Sequence, residues 1–281
     1  MEVEGWRYYN HVLIPDSAPH IMANTGPLDD GRTWQMEKSF PVAAIWSSEW
    51  DCGYETEWWY VIKDDPFDVE SIKSKRRYEI KKGDSNFEVR MIDPADYIED
   101  LLKVTKEAYK GWPEKYRPSV RDAAFMENII QMKTYDVFAA FSRKNGSLCG
   151  YAQVKDKNSC AEFAVLRADP EEERLGINAA IVNGILGHYK ERLRGDFYIY
   201  DGSRSVRHET AFQDYLEKYF GFRKAYCRLN IRYRKGFSAL INILYPFRNM
   251  IGGYTGIGSG IRGLLTLEEI KRSCMEDSAD E

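Results

Sequence analysis

A turn that contains glycine, between a predicted strand and a predicted helix, is the part of this sequence best suited to bind a ligand. The strand is predicted over residues 161–168, Gly176 lies at the turn, and the helix is predicted over 181–192. The first N–H groups of a helix lack partners within the helix, and the helix dipole is positive there, so such a turn can bind an anion. The turn therefore predicts a phosphate or pyrophosphate site. Its residues are Arg174, Leu175, Gly176, Ile177, Asn178 and Ala179.

The residues around this turn predict alternating strands and helices. A strand–helix–strand connection of this kind requires the two strands to be parallel. We therefore expect strands 161–168 and 196–201 to lie side by side, splayed near Gly176. The other predicted elements are a strand at 87–92, helices at 93–110 and 121–132, a hairpin of strands 135–141 and 148–154 around Asn145-Gly146, a helix ending at Gly221-Phe222, and a last strand at 225–233.

Flanking segments complete the expected organisation. Residues 1–38 look irregular, 39–63 predict two strands, and 68–83 predict a short basic helix that stops at Gly83. Beyond Gly236 an apolar stretch, 237–251, is followed by glycine-rich sequence and a helix from Thr266. Three regions are expected on this basis: an N-terminal part over 1–83, a central domain over 84–235 and a C-terminal extension over 236–281.

Composition excludes several functional classes. The 281 residues carry a net charge of −4, which argues against a broad nucleic-acid footprint, and no DNA partner is expected. No apolar run approaches the roughly 20 residues of a membrane span, and the acidic, polar N-terminus is unlike a secretory signal. The five cysteines lack paired spacing, and histidines and cysteines show no metal-ligand pattern, so we expect no metal. A cytoplasmic protein is predicted.

The element order from Phe87, β-α-α-β-β-β-α-β-α-β, resembles the GNAT acyltransferase fold. In that family the loop after the fourth strand resembles P-x-x-R/Q-x-x-G-x-G/A, and Pro170 stands six residues before Gly176 as the motif requires. Glu173 and Asn178 depart from the motif, where Arg or Gln and Gly or Ala are usual. The resemblance implies acyl-CoA, acetyl-CoA in particular, as donor. It also implies pantetheine pairing with the strand backbone at Leu166 and Ala168.

A second resemblance, to FemABX-like proteins, spans roughly residues 40–233. The run Trp58-Trp59-Tyr60-Val61-Ile62-Lys63 and the basic segment after it look like the junction between the two GNAT-like halves of that family. The first half is truncated here, with about eighty residues. FemABX members transfer amino acids from aminoacyl-tRNA onto cell-wall precursors, so tRNA and a cell-envelope acceptor are implied partners.

Three residues are candidates for proton transfer. Glu162, fourteen residues before Gly176, corresponds to the general-base glutamate of some GNAT enzymes, and burial would raise its pKa as a base requires. A carboxylate on a solvated strand face is an equally good interpretation, because alternation does not choose the face. Tyr215, with Tyr219 as a substitute, is the candidate acid for a leaving thiolate, or a packing residue. His208 is a candidate base, or a helix cap.

Other residues are candidates for substrate contact. Trp46 and Trp50 could form aromatic walls for a sugar or acyl chain, or belong to a core. Arg204 follows a strand end, where α/β sheets place substrates. The apolar stretch 237–251 could dock peripherally at the inner face of a membrane, or cover a sheet edge.

Together these features predict an α/β protein with a GNAT-like mixed central sheet flanked by helices, preceded by a small truncated GNAT-like half. The expected function is transfer of an acyl or aminoacyl group from a thioester donor to an amine of a small molecule or cell-envelope precursor. Two alternatives remain: an aminoacyl-tRNA-dependent transferase of cell-wall type, and a catalytically degenerate module that only binds a ligand.

Overall fold

The computed structural model describes residues 2–3, 5–29, 31–35, 40–112, 114, 117–206, 211–251 and 256–276. The chain forms two compact units, and each is discontinuous in sequence. The first comprises Met1–Val61, Ser203–Ala211 and Lys224–Glu281, and the second comprises Ile62–Gly202 and Phe212–Arg223.

Strands supply the framework of both units. In chain order they are β1 (Glu2–Val3), β2 (Trp6–Tyr9), β3 (Val12–Pro15), β4 (Ala43–Ser48), β5 (Trp59–Lys63), β6 (Phe87–Ile92), β7 (Asp136–Ser142), β8 (Leu148–Asp156), β9 (Cys160–Ala168), β10 (Tyr198–Ser203), β11 (Arg223–Tyr226) and β12 (Arg228–Tyr233).

Helices connect and cover these strands. The α-helices are α1 (Gly26–Asp29), α2 (Ser74–Asn86), α3 (Ile98–Lys110), α4 (Asp122–Met132), α5 (Ile177–His188), α6 (Ala211–Phe220), α7 (Phe237–Leu244) and α8 (Gly256–Glu276). Short 3-10 turns include Pro94–Tyr97, Pro170–Leu175 and Tyr245–Phe247.

A five-stranded sheet, in the order β1-β2-β3-β4-β12, forms the centre of the first unit. Neighbouring strands are antiparallel except β3 and β4. Helix α8 packs on β12, because Leu267, Ile270 and Cys274 lie in one buried cluster with Leu229 and Ile231. A second buried cluster gathers Trp6, Leu13, Leu28, Trp34 and Ala44.

The other sheet has the strand order β11-β5-β10-β9-β8-β7-β6. Strands β6 to β9 form an antiparallel meander, and β10 is parallel to β9. The chain passes from the first unit to the second within β5, since the division falls between Val61 and Ile62. A mixed sheet flanked by helices was expected from the sequence, but the strand at β5 was expected in the N-terminal part over 1–83 and not in this sheet.

Helices cover both faces of this sheet in the second unit. Val137 and Ala139 of β7 pack with Leu101 of α3 and Ile129 of α4. Phe138, which lies between them in sequence, meets His188 of α5 with ring centroids 5.2 Å apart. Because successive side chains of a strand point to opposite faces, α3 and α4 lie on one face and α5 on the other.

The N-terminal segment corrects one expectation, because residues 1–38 are not simply irregular. Strands β2 and β3 pair antiparallel, with Tyr9 opposite Val12. The two residues between them, Asn10 and His11, both have positive φ, 45° and 67°. Two-residue hairpin turns favour this left-handed backbone. They usually contain a glycine, which makes them recognisable in a sequence, but this turn has none.

Several expected boundaries also differ. Helix α2 runs on to Asn86, so Gly83 lies inside it and does not stop it. Helix α5 begins at Ile177 instead of Ile181, directly after Gly176, and α8 begins at Gly256 instead of Thr266. The single strand expected at 225–233 is divided at Cys227 into β11 and β12, which belong to different sheets.

Candidate functional site

The parallel strands β9 and β10 separate part-way along their length. Tyr198 to Tyr200 pair with Cys160 to Glu162, and Tyr200 opposite Glu162 is the last pair. Strand β9 continues to Ala168 beside β8, where a shift in register leaves Ala164 as a β-bulge. A bulge bends a strand and increases its twist. The arrangement confirms the expected parallel pair, and the pairing of the two strands ends on the side of Gly176.

Glu162 is half-buried at the point of separation. The hydroxyl of Tyr200 donates to its Oε2 over 2.9 Å, and the ammonium of Lys157 lies 3.1 Å from the same oxygen. Lys157 also donates to the hydroxyl of Tyr200 over 3.1 Å. The carboxylate of Glu162 therefore forms an ion pair with Lys157 and accepts a hydrogen bond from Tyr200. It does not lie on a fully solvated face of the strand.

Asp201 is the first residue of β10 beyond the last pair with β9. Burial raises the pKa of its carboxyl to about 7, a hydrogen bond with Gln213 of α6 opposes the shift, and the negative charge of Glu162 adds to it. Gln213 Nε2 also donates to the backbone carbonyl of Asp201 over 2.6 Å. A carboxyl with a pKa near neutrality can accept a proton at physiological pH and release it again.

Sequence reasoning missed Asp201. It could have been noticed as the acidic residue that follows the apolar run Phe197-Tyr198-Ile199-Tyr200. Residues at the carboxyl ends of strands in α/β sheets often bind substrate or take part in catalysis. Its pKa depends on burial, which the strand sequence does not show.

Tyr215 belongs to an aromatic cluster on α6. Its ring lies 6.2 Å from Phe212, 4.9 Å from Tyr219 and 5.7 Å from Phe220, measured between centroids. Phe212 in turn meets Phe163 of β9 at 6.1 Å, so the cluster contacts the strand just beyond Glu162. Burial, with smaller contributions from Tyr219 and Glu79, raises the pKa of the Tyr215 phenol, which therefore stays protonated.

His208, the third proton-transfer candidate, lies outside the described residues. Its role as a base or a helix cap stays a prediction.

At the turn before α5, Gly176 contacts the backbone of α2. Its φ is 86°, and a Cβ at this position would lie 2.9 Å from the nitrogen of Gly83 and 3.1 Å from the carbonyl oxygen of Glu79. Asn86 of α2 donates to the carbonyl oxygen of Leu175 over 3.2 Å. Left-handed backbone and helix packing therefore both require glycine here, independently of any ligand.

The rest of the turn is more acidic than an anion site requires. Three consecutive glutamates, at 171–173, precede an exposed Arg174 in the 3-10 turn. Ile177 and Ala179 are buried, and the buried Oδ1 of Asn178 accepts no hydrogen bond from the described part of the chain. Leu166 is half-buried and Ala168 is buried opposite Gly150. Donor binding by these residues stays a prediction.

Arg167, near the end of β9, has an unusual environment for a cation. Its guanidinium lies over the rings of Tyr109 and Trp112, at 5.1 and 5.6 Å from their centroids. It also donates to the hydroxyl of Tyr109 and the carbonyl of Leu166, and no carboxylate of the described chain pairs with it. Trp112 remains 41% exposed. A half-buried arginine without a counter-ion and beside an exposed indole can bind an anionic group.

This arginine lies close to the loop that leads to Gly176. A Cβ built on Gly111, between Tyr109 and Trp112, would lie 3.3 Å from Cγ of Pro170. The end of α3 therefore contacts the start of the 3-10 turn. Sequence reasoning missed Arg167 too, although a single cation within the apolar strand 161–168 was a visible signal.

The candidates for substrate contact in the first unit are held by neighbouring side chains. Trp46 meets Trp6 edge to face at 6.0 Å, and Trp50 contacts Tyr60 at 5.3 Å. Arg204 pairs with Glu57 and lies 4.6 Å above the ring of Trp59.

Trp46 also lines a cavity of about 550 Å³ in the first unit, together with the basic residues Arg228, Arg232 and Lys271. The described chain pairs these three with Glu49, Asp29 and Glu268. A substrate role for Trp46, Trp50 or Arg204 stays a prediction.

Within the described residues, histidine, cysteine and carboxylate side chains form no group of three or more that could hold a metal ion. Over the same ranges, none of the helices combines the length and the apolar character needed to cross a bilayer.

Comparison with known proteins identifies the fold. Neither the protein-family models nor the curated proteins include a match to this sequence. Among solved structures, L-PGS from Bacillus licheniformis aligns with a TM-score of 0.54 and 13% identity over 96% of this chain and 86% of that one. The C-terminal domain of a proposed lysylphosphatidylglycerol synthetase from Agrobacterium fabrum aligns at 0.50 and 10% identity, over 85% and 82%. The fold is GNAT- and FemABX-like.

The GNAT-like fold was expected from the sequence, and the parallel pair β9 and β10 is part of it. FemX aligns at a TM-score of 0.48 and 9% identity, over 66% of this chain and 63% of its own. The identities of 13% and 10% with the first two structures establish the fold alone, so the activity has to be argued from the site.

Proposed function

We propose that this protein is a transferase that moves an acyl or aminoacyl group to an acceptor where β9 and β10 separate. The observation that carries the proposal is the half-buried Asp201, where the pairing with β9 ends: burial raises the pKa of its carboxyl to about 7 and the charge of Glu162 adds to the shift. Perturbed carboxyls cluster at functional sites because general bases work best near the ambient pH. The GNAT-like fold supports a transferase as the class of enzyme.

In the proposed reaction, the acceptor is an amine that attacks the carbonyl carbon of the donor. A carbon–nitrogen bond forms and the bond to the donor's sulfur breaks. Asp201, directly or through a water molecule, takes the proton that the amine loses, and the phenol of Tyr215 protonates the departing thiolate. Glu162 acts on Asp201 through its negative charge, while Lys157 and Tyr200 hold its carboxylate in place.

The proposed donor is an acyl-CoA such as acetyl-CoA. Arg167 offers a cation for its phosphates and Trp112 a ring on which adenine can stack. The first N–H groups of α5, at Ile177 to Ala179, add a second anion-binding element beside Arg174.

A second candidate is transfer from aminoacyl-tRNA to a cell-envelope acceptor. It is favoured by the packing of α2 against Gly176 and by the glutamates before it, which make the turn less suited to a pyrophosphate. One of the similar structures is of a proposed lysylphosphatidylglycerol synthetase. In this version the bond that breaks is to an oxygen of the tRNA, and the protein works in the cytoplasm or at the inner face of the membrane.

Donor binding is tested first by thermal shift with acetyl-CoA, longer acyl-CoAs and aminoacyl-tRNA, because a ligand of the folded state raises the melting temperature. The donor found is then used for pH–rate profiles of wild type, Asp201→Asn and Asp84→Asn. Asp84 is a matched control: burial raises its pKa too, but it lies on α2, where Asn183 Nδ2 donates to it over 2.9 Å.

We expect Asp201→Asn to lower turnover by about 10²–10⁴-fold and to remove the acidic limb near pH 7. Asp84→Asn should retain the wild-type turnover and the acidic limb. An Asp201→Asn variant with the wild-type rate and the same limb would exclude Asp201 as the base. If none of the donors binds, the degenerate ligand-binding module becomes the better interpretation.

A further inference from the structure

Helix α7 and the turn after it expose a continuous apolar stripe. Leu240, Ile243, Phe247 and Met250 are 45, 67, 54 and 82% exposed. Their spacing of three and four residues places them on one face of a helix. The helical path continues past α7, since the N–H of Met250 donates to the carbonyl of Phe247 over 2.9 Å. The opposite face is anchored by Ile241, which is 2% exposed.

The segment that bears this stripe is basic in a chain whose net charge is −4. Residues 234–262 contain Arg234, Lys235, Arg248 and Arg262 and no aspartate or glutamate, and of these Arg248 pairs with Glu269 of α8 over 2.9 Å. Lys235 is exposed and forms no ion pair within the described ranges. Apolar surface is therefore combined with an excess of positive charge.

A further aromatic contact extends the apolar surface. Phe40 is half-exposed, its ring lies 6.0 Å from that of Phe237 at the start of α7, and the guanidinium of Arg234 covers it at 4.2 Å. Cations beside exposed aromatic and aliphatic groups are typical of helices that lie in the interface of a membrane.

We propose that Leu240, Ile243, Phe247 and Met250 insert into the surface of a bilayer that contains anionic phospholipid. Lipid chains bury such side chains without a complementary pocket, and anionic headgroups attract the cations of residues 234–262. A second copy of the chain would bring the same positive charges against one another, which opposes self-association through this face. All residues involved belong to the first unit, so the proposal is independent of the chemistry assigned to Asp201.

The test is co-sedimentation of the full-length protein with phosphatidylglycerol–phosphatidylcholine vesicles and with pure phosphatidylcholine vesicles. Binding should be stronger to the anionic vesicles and should weaken with added salt. Met250→Asp and Ile243→Asp should each lower partitioning by about tenfold or more, because a charged group replaces a buried apolar one. Met22→Asp is the matched control, since Met22 is 83% exposed but lies outside this face.

Equal binding by wild type and Met250→Asp, or no binding to anionic vesicles, would overturn the proposal. Light scattering after gel filtration tests whether a second copy of the chain covers the stripe instead. If the protein were a dimer that Ile243→Asp dissociates, the stripe would be a dimer interface. Urea unfolding of each variant verifies that the fold is retained, as expected for exposed positions.

Discussion

The backbones of Gly83 in α2 and Gly176 before α5 meet so closely that a Cβ built on Gly83 would lie 2.4 Å from the carbonyl oxygen of Gly176. Neither position can carry a side chain without moving one of the two helices. The glycine that the sequence assigned to a phosphate site is thus also a packing residue, and α2 fills the space beside it.

This contact predicts opposite effects for two glycine substitutions. Gly83→Ala should lower the free energy of unfolding by about 1–3 kcal/mol, because overpacking against backbone forces α2 and α5 apart. Gly187→Ala in α5 should raise it by up to about 1 kcal/mol, because the added Cβ meets no atom within 4 Å and alanine favours the helix. Urea unfolding followed by circular dichroism measures both, and a stabilised Gly83→Ala would refute the close contact.

Local patterns were sufficient to predict much of the second unit. The alternation of β6 to β10 with their helices follows from apolar periodicity and from turn residues such as Asn145-Gly146, whose glycine has φ 74°. The parallel pairing of β9 and β10 follows from the crossover between them. Glu162 was correctly placed on the strand that precedes the turn.

Contacts between distant segments were not predictable in this way. Strand β12 pairs with β4, nearly two hundred residues earlier, and nothing in either strand specifies the partner. The pKa of Asp201 depends on burial and on Gln213 of α6, and the setting of Arg167 depends on two aromatic residues near the end of α3. These environments are created by packing, which a single sequence does not disclose.

The raised pKa of Asp201 predicts a pH-dependent contribution to stability. The native carboxyl titrates at about 7 and an unfolded one at about 3.9. Between these values the unfolded chain releases the proton while the native chain keeps it, so the free energy of unfolding falls as pH rises from about 4 to 7 and levels off above. The whole contribution is at most about 4 kcal/mol.

Asp201→Asn should remove this pH dependence, so the stability difference between wild type and variant should fall with pH across that window. Urea titrations at several pH values measure it. Asp156→Asn is the control, because Arg192 lowers the pKa of Asp156 and its contribution is lost only as pH falls below about 4. A wild-type curve that rises with pH in parallel with that of Asp201→Asn would contradict the assignment.

Glu162→Gln tests how the two carboxyls act together. Burial raises the pKa of Asp201 most, and the charge of Glu162 adds to the shift. Removal of this charge should therefore move the acidic limb of the pH–rate profile to a somewhat lower pH while donor affinity stays nearly unchanged. Glu88→Gln, an exposed glutamate of β6, should leave the limb in place. If Glu162 were itself the base, its loss would abolish the limb and lower turnover by about 10²–10⁴-fold.

Arg167→Gln should weaken binding of an anionic donor. The guanidinium faces two aromatic rings and has no carboxylate partner within the described chain, so a bound phosphate would supply its missing counter-ion. We expect the KM for the donor to rise by about tenfold or more while kcat changes little, since the interaction is the same in the ground and transition states. Steady-state kinetics with varied donor concentration separate the two constants.

Arg90→Gln is the matched control for this experiment. Arg90 also lies over an aromatic ring, 4.2 Å from the centroid of Phe141, and donates to the hydroxyl of Tyr97, but it belongs to β6 at the far edge of the sheet. Its loss should leave KM unchanged. Equal KM values for wild type and Arg167→Gln would assign Arg167 to packing of α3 against β9. A rise in KM that is smaller in Arg167→Lys would support an anion-binding role, because lysine keeps the positive charge but not the planar group that stacks on the rings.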